Sequence, residues 1–328
     1  MFKFILKRLL LSLMILFFVL FIIYGLMYSL PASYPEKKAR EMSQKAGQTK
    51  SYEELLQEMN ARLGMDTDNV FEGYFKWLGT AVKGDFGESW TWTQSCTTVF
   101  SSKIWYSFAL NVIVFFFELI LAIPLGILAA RKQYSFVDYS VTVIALVGIS
   151  LPSFFVATCL KMIFSGILPM YGTVTAGAAL TMTEFEQFLD LAKHFILPSL
   201  TLILVGMGDL MRYTRTNTLE VLNADFIRTA RSKGLPERRV MNYHAFRNTL
   251  IPIVTIIGNM LPGLFSGAMI TEQLFSLEGI GQAAFKSMMG GDIPFTMFYL
   301  SFMAVLTLLG NLLADILYAV VDPRVRLS

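Results

Sequence analysis

Residues Ala224–Asn248 read ADFIRTARSKGLPERRVMNYHAFRN. This short stretch lies between long apolar runs, yet it carries Arg228, Arg231, Lys233, Arg238, Arg239 and Arg247, and a further cation if His244 is protonated. It also carries helix punctuation. Asn223 or Asp225 can cap a helix that runs to Lys233. Gly234 stands where a left-handed residue is wanted after a helix end, and Pro236 suits the first turn of the next helix. The spacing predicts helix, tight turn, helix. Each piece is too short to hold itself in water, so the hairpin needs a surface to dock on.

The surroundings are those of a membrane protein. The 328 residues are 55% hydrophobic and 16% charged, with a mean hydropathy of +0.56, against about 25% charged in soluble domains. Runs long enough to cross a bilayer as a helix are Leu9–Leu30, Ile104–Ala130 (interrupted by Glu118), Tyr139–Leu160, Phe195–Met211 (the shortest, with Asp209), Asn248–Thr271 and Ile293–Ala314. They predict an all-α integral membrane protein with six transmembrane helices. The first run follows Lys3, Lys7 and Arg8, as a signal peptide would. Its length exceeds an ordinary signal core, and it reads as an uncleaved span. Those residues, then Arg131 and Lys132, then eight basic against three acidic residues between Met211 and Leu250, then Arg324 and Arg326, all fall on one side of a six-span chain. By the positive-inside rule that side is the cytosol, and both termini lie there.

The segment Pro31–Ser102 is then extracytoplasmic, with eight basic and ten acidic residues. Ser51 with Glu54 forms a capping-box pattern. Leu55, Leu56, Met59 and Leu63 follow on one face, and Gly64 can end that helix. Val70, Phe71, Tyr74, Trp77, Leu78 and Val82 recur at helical spacing. Two readings of this second helix stand: it lies along the membrane surface with its apolar face down, or it packs on the protein's own outer face.

Catalytic patterns are missing. There is no Gly-Lys dipeptide, hence no phosphate-cradling G-x-x-x-x-G-K-[ST] loop. There is no HExxH, and Gly148-Ile-Ser-Leu-Pro152 lacks the second glycine of a nucleophile elbow. Cys96 and Cys159 make no disulfide framework. His194 and His244 supply no metal-ligand set, and His194 reads as an interfacial residue. No metal or cofactor is expected in this chain. Asp209, one turn from Arg212, reads as a local ion pair. Three readings of the basic hairpin compete: contact with anionic lipid, nucleic-acid binding, and docking to a cytosolic partner. The second lacks aromatic stacking platforms. The third is favoured, because lipid attraction needs charge but not a Gly-x-Pro corner.

Arg228-Thr-Ala-Arg-Ser-Lys-Gly234 resembles the loop with the Glu-Ala-Ala-x-x-x-Gly pattern in permease subunits of bacterial ABC importers, and within them the dipeptide, oligopeptide and nickel permease family. Leu63-Gly-Met-Asp66, Trp77-Leu-Gly79 and Gly84-Asp-Phe-Gly-Glu-Ser89 are similar to that family's outer segment. Ile123-Pro-Leu-Gly126, Leu151-Pro-Ser-Phe154, Thr271-Glu-Gln-Leu-Phe-Ser276, Gly279-Ile-Gly281 and Asp322-Pro-Arg-Val-Arg326 continue the likeness in order. Arg228 and Thr229 stand where the general pattern has Glu-Ala, and His244-Ala-Phe-Arg247 where it has Leu-Pro.

The resemblance implies the type I ABC importer transmembrane fold. It divides the chain into a first span with an extracytoplasmic helical segment (1–102), a transmembrane core (103–321) containing a coupling loop (212–248), and a cytosolic tail (322–328). It implies a bacterial plasma-membrane subunit that pairs with a second permease on two ATPase subunits, which bind the ATP and Mg. An external solute-binding protein delivers peptides, or, as the alternative within the family, nickel or another small solute; a stand-alone carrier is the rival outside it. It implies a coupling site of Asp225, Phe226, Arg228, Thr229, Ala230, Arg231, Lys233, Gly234, Leu235, Glu237, Arg239 and His244. There Phe226, Ala230 and Leu235 fill an ATPase cleft, and Arg228, Arg231 and Arg239 hold its rim. Glu118, mid-span, must face protein or a water-filled path. It is a candidate to meet a peptide's amino group, unless it is protonated and bonded to a neighbouring helix. Glu272 is the second candidate for the path, at its outer end.

Overall fold

The computed structural model describes residues 2–29, 33–44, 50–63 and 69–321. Gly64, the motif residues Met65 and Asp66, and the tail 322–328 lie outside the described residues. The chain runs α1 (Phe2–Tyr28), α2 (Ser33–Ser43), α3 (Tyr52–Leu63), α4 (Val70–Ala81), α5 (Cys96–Arg131), α6 (Phe136–Ser150), α7 (Ser153–Ile163), the single turn α8 (Ala178–Thr181) and α9 (Glu184–Leu222). Then come α10 (Asp225–Ser232), α11 (Glu237–Arg239), α12 (Phe246–Met260), α13 (Met269–Phe275), α14 (Ile280–Met289) and α15 (Ile293–Val321). A π-helical turn, Val240–Ala245, joins α11 to α12, and a 3₁₀ turn, Leu261–Phe265, follows α12.

Two compact units form. The first comprises Met1–Trp105 with Gln282–Leu312. The predicted capping box is present: the Ser51 N–H donates to Glu54 Oε2 at 2.8 Å and the Glu54 N–H donates to Ser51 Oγ at 3.3 Å. Leu55, Met59, Tyr24, Tyr74, Trp77 and Trp90 are buried together with Ile293 and Met297 of α15. The N-terminal segment therefore recruits residues from far along the chain. Asp292 fastens the two: its carboxylate accepts from the Ser89 hydroxyl and from the Thr91 N–H at 3.0 Å, and it caps α15 through the Phe295 N–H at 3.2 Å. Tyr74 and Trp77 are buried against protein, whereas Phe71, Phe75 and Val82 stay exposed.

The second unit, Tyr106–Gly281 with Leu313–Ser328, is built on α9. This helix opens with a Thr183/Glu186 capping box and continues for 39 residues, roughly 58 Å at 1.5 Å per residue. It outruns the expected short span Phe195–Met211 at both ends, and the face buried in those extensions carries the polar residues Asp190, His194, Thr214 and Thr218, which a search for apolar runs passes over. Glycines let α6 lie directly on it: a Cβ on Gly208 would stand 2.5 Å from the Ala145 carbonyl oxygen, and one on Gly148 equally close to that of Leu204. Such small-residue contacts are how helices approach within a membrane. At one end of this packing the buried Asp138 receives the Arg215 guanidinium on both oxygens, at 2.6 and 2.8 Å, and the Tyr134 N–H at 2.9 Å.

Among the described residues, four helices are individually long and apolar enough to cross a membrane: α1, α5, α9 and α15. The expected third span is a pair, α6 and α7, bent by 108°. Leu151 is extended (φ −88°, ψ 128°), as the residue before Pro152 must be when the proline ring excludes the helical conformation. The expected fifth span is likewise not one helix. It passes from α12 through the 3₁₀ turn, breaks at Gly267 (φ 75°) and resumes as α13.

Candidate functional site

The basic hairpin leaves the far end of α9. Asn223 closes α9 rather than capping the next helix, and Ala224, with extended backbone, starts α10 without a side-chain cap. The exit from α10 is a complete Schellman turn: the Gly234 N–H bonds the Arg231 carbonyl at 2.9 Å, and the Leu235 N–H reaches back to that of Ala230 at 3.4 Å. Gly234 has φ +73°, where a side chain is disfavoured. Pro236 sits one position before the next helix, as its N-cap, not in its first turn. That second helix is not a short piece: α11, the π turn and α12 run on without a break from Glu237 to Met260. The hairpin is therefore one short helix braced against the root of a long one.

The bracing is apolar. Ile227 and Ala230 of α10 are buried with Val240, Met241 and Ala245 of the π turn, and Val221, Leu222 and Leu235 close the cluster. Ala230 therefore faces inward and does not present the expected cleft-filling surface, whereas Leu235 is half-buried against the cluster. The i, i+3 pair Ile227–Ala230 was the available signal for this inner face; the π turn that receives it has no comparable signature in sequence. Phe226 remains 44% exposed on the outer face, with Asp225, Arg228, Thr229 and Lys233.

The charges sort in the same way. Arg231 binds Glu237 across the turn on both oxygens, at 2.8 and 3.2 Å, so it is a strap across the Gly234–Pro236 corner and not a free rim residue. Its guanidinium holds the Glu237 carboxyl below its usual range. Arg228 only approaches Asp225, at 3.8 Å, and Arg239 is exposed. The Thr229 hydroxyl is turned onto the Asp225 carbonyl at 2.9 Å. His244 is half-buried in the π turn, edge-on to Tyr243, and its carbonyl accepts from Asn248 at 2.7 Å.

The two carboxylates expected on the path separate. Glu118 is buried on α5 with its carboxyl against Gly206 of α9, where any side chain would overlap it. It also lines a groove of about 740 Å³ with Asp209, Tyr213, Asn217 and Ile256. Glu118 is thus packed on a neighbouring helix and borders a groove. Asp209 lies 3.6 Å from Arg212, both exposed. Glu272, by contrast, is fully buried and accepts from the Ser107 hydroxyl at 2.7 Å and the Ala268 N–H at 2.9 Å. Ser107 Oγ in turn accepts from the Ile280 N–H at 2.8 Å. These bonds make a clasp between α5, α13 and α14. His194 is buried, with Nδ1 2.8 Å from the Asp190 carbonyl oxygen.

This arrangement bears no reacting group. It is a braced basic hairpin at the end of a helix long and apolar enough to cross a membrane. The family model described as binding-protein-dependent transport system inner membrane component matches residues 122–327, and its N-terminal companion matches 1–121. The oligopeptide transport system permease protein AppB of Bacillus subtilis (strain 168) is 39% identical over 260 residues, covering 79% of this chain and 81% of that protein. The dipeptide transport system permease protein DppB of Escherichia coli (strain K12) is 34% identical over 284 residues, covering 81% and 84%. A putative peptide permease protein of Brucella suis is 33% identical over 271 residues, covering 82% and 84%. The chain belongs to the family of binding-protein-dependent transport system inner membrane components, as a permease subunit and not an enzyme.

Proposed function

We propose that this subunit forms, with a second homologous permease, the translocation path for peptides delivered by an extracellular binding protein. Two partner ATPases drive it and carry the ATP and Mg. The names of the relatives support peptides as the solute. In this reading the chain crosses the plasma membrane six times with both termini cytosolic: the bent pair α6–α7 serves as the third span and the broken run from α12 as the fifth. Residues 1–102 supply the first span and an extracytoplasmic segment, 103–321 the transmembrane core with its 212–248 coupling loop, and 322–328 the cytosolic tail. Glu118, in its groove, lies on the path.

The observation that carries the proposal is the outer face of α10. Phe226, Arg228, Thr229 and Lys233 stand exposed on a helix whose other face is fully used in bracing. Such a helix moves as a body with α9 and α12, so a push on it reaches the spans. Closure of the ATPases on this knob opens the outer cavity for solute, and release of hydrolysis products returns the path to the cytosol. A photo-crosslinking amino acid at position 226, in the subunit co-expressed with its partners, should capture an ATPase. Normal membrane assembly with no ATPase adduct from 226 or 228 would overturn the assignment.

A further inference from the structure

We propose that α4 is lodged in the outer leaflet of the membrane, with Phe71 and Phe75 against lipid acyl chains, and does not stand in the water outside. Its depth is set by α1. The apolar span of α1 is Leu6–Tyr28, which puts Phe17 at its middle. The Tyr74 hydroxyl donates to the Phe17 carbonyl at 2.9 Å, and the rings of Phe17, Phe21 and Tyr24 lie 5.4, 5.3 and 5.8 Å from the Tyr74 ring. Contact therefore runs along the second half of the span, not past its end. A phenol at that depth has no water and must find a protein acceptor, and the Phe17 carbonyl is one.

The exposed face of α4 continues the bare apolar surface of α1. Only 6% of α1's most apolar stretch is buried, and Phe18 and Ile22 are exposed. Phe71, 61% exposed, stacks on Phe21 at 5.0 Å, and Phe75, 56% exposed, lies 6.0 Å from Phe17. At about 100° per residue, Trp77, Val70, Tyr74, Phe71 and Phe75 fall on one continuous arc. Glu72, Lys76 and Thr80 fall opposite. Protein buries one half of the arc, at Tyr74 and Trp77, and leaves the other half bare. An apolar arc with a charged back is the pattern of a helix seated at the membrane boundary, and aromatic side chains favour that zone.

The word "outer" rests on the proposed topology with a cytosolic N-terminus, and the test separates the two. The transporter, assembled with its partners and with Cys159→Ala in the background, would carry a nitroxide at Phe71→Cys, Phe75→Cys or Lys83→Cys in liposomes. Collisions with oxygen, which concentrates in lipid, should exceed those with a water-soluble nickel chelate at 71 and 75, and the ratio should invert at the exposed Lys83. Equal chelate access at all three positions would overturn the proposal in favour of a water-exposed helix. Shielding of 71 and 75 from both quenchers would overturn it in favour of coverage by a sister subunit. In intact cells, Lys83→Cys should react with a membrane-impermeant maleimide. Reaction only after permeabilisation would overturn the placement through the topology, whichever way the collision ratio falls.

Discussion

At the scale of single residues, Gly234 is where sequence and geometry agree most directly. A Cβ at Gly234 would meet nothing within 4 Å, so a side chain there is penalised through the backbone alone, by about 1–2 kcal/mol for a left-handed conformation. Gly234→Asn, which tolerates that conformation, should keep uptake. Gly234→Val should lower it several-fold. Gly234→Pro, which also removes the N–H given to Arg231, should leave ATPase activity running without uptake. Transport assays beside ATPase assays in liposomes check this series. Arg231 was not legible in the same way: its cationic character was plain, but its use as a strap depends on a turn that brings Glu237 back beside it. The Glu237 carboxyl is held below its ordinary value of about 4.3, so the strap is at full strength above that pH. It is lost as pH falls through the lowered value. The pair is exposed, so its worth is at most about 1 kcal/mol. Hydrogen exchange at the Gly234 and Leu235 amides should quicken, relative to Glu237→Gln, only over that acid window.

Between elements, the α6–α9 contact and the Asp138–Arg215 pair decide whether the long helix is held. Gly208→Leu should force the helices apart and destabilise by about 1–3 kcal/mol. Asp138→Ala leaves a guanidinium only 26% exposed without its partner, a loss on the order of 3 kcal/mol. Exchanging the two residues should recover part of it. Thermal unfolding of the purified complex in mild detergent reads both. Glu272→Ala should strand the Ser107 hydroxyl and the Ala268 N–H, at roughly 1–3 kcal/mol. Glu272→Gln keeps an acceptor and should cost less. Equal loss of uptake in Glu272→Gln and Glu272→Ala, with stability unchanged, would point instead to a charge on the path. None of these pairings shows in the chain order, because their members lie 77 and 165 positions apart.

For the molecule as a whole, the proposed role of the hairpin is checked through partner binding. Phe226→Asp with Arg228→Asp should reduce ATPase co-purification by about tenfold, equivalent to about 1.4 kcal/mol, while membrane insertion and thermal stability stay unchanged because neither side chain is in the bracing cluster. Loss of stability in parallel would mean that the face is structural. Co-expression with the neighbouring genes, followed by quantification of the eluted subunits, is the direct measurement.

Composition, periodicity and punctuation by themselves determined a helical membrane protein, a capped helix after Ser51 and a glycine-cornered basic hairpin. These features are local: hydropathy, caps and left-handed turns are properties of a few consecutive residues. Tertiary structure alone decided that the chain bends by 108° between α6 and α7 at Leu151–Pro152, that Glu272 is clasped by Ser107 and Ala268, that Ala230 is buried in the bracing, and that Asp292 ties the N-terminal segment to α15. Each of those depends on which distant helix supplies the facing atom. A burial or a hydrogen bond between remote residues leaves no periodic trace in the sequence that makes it.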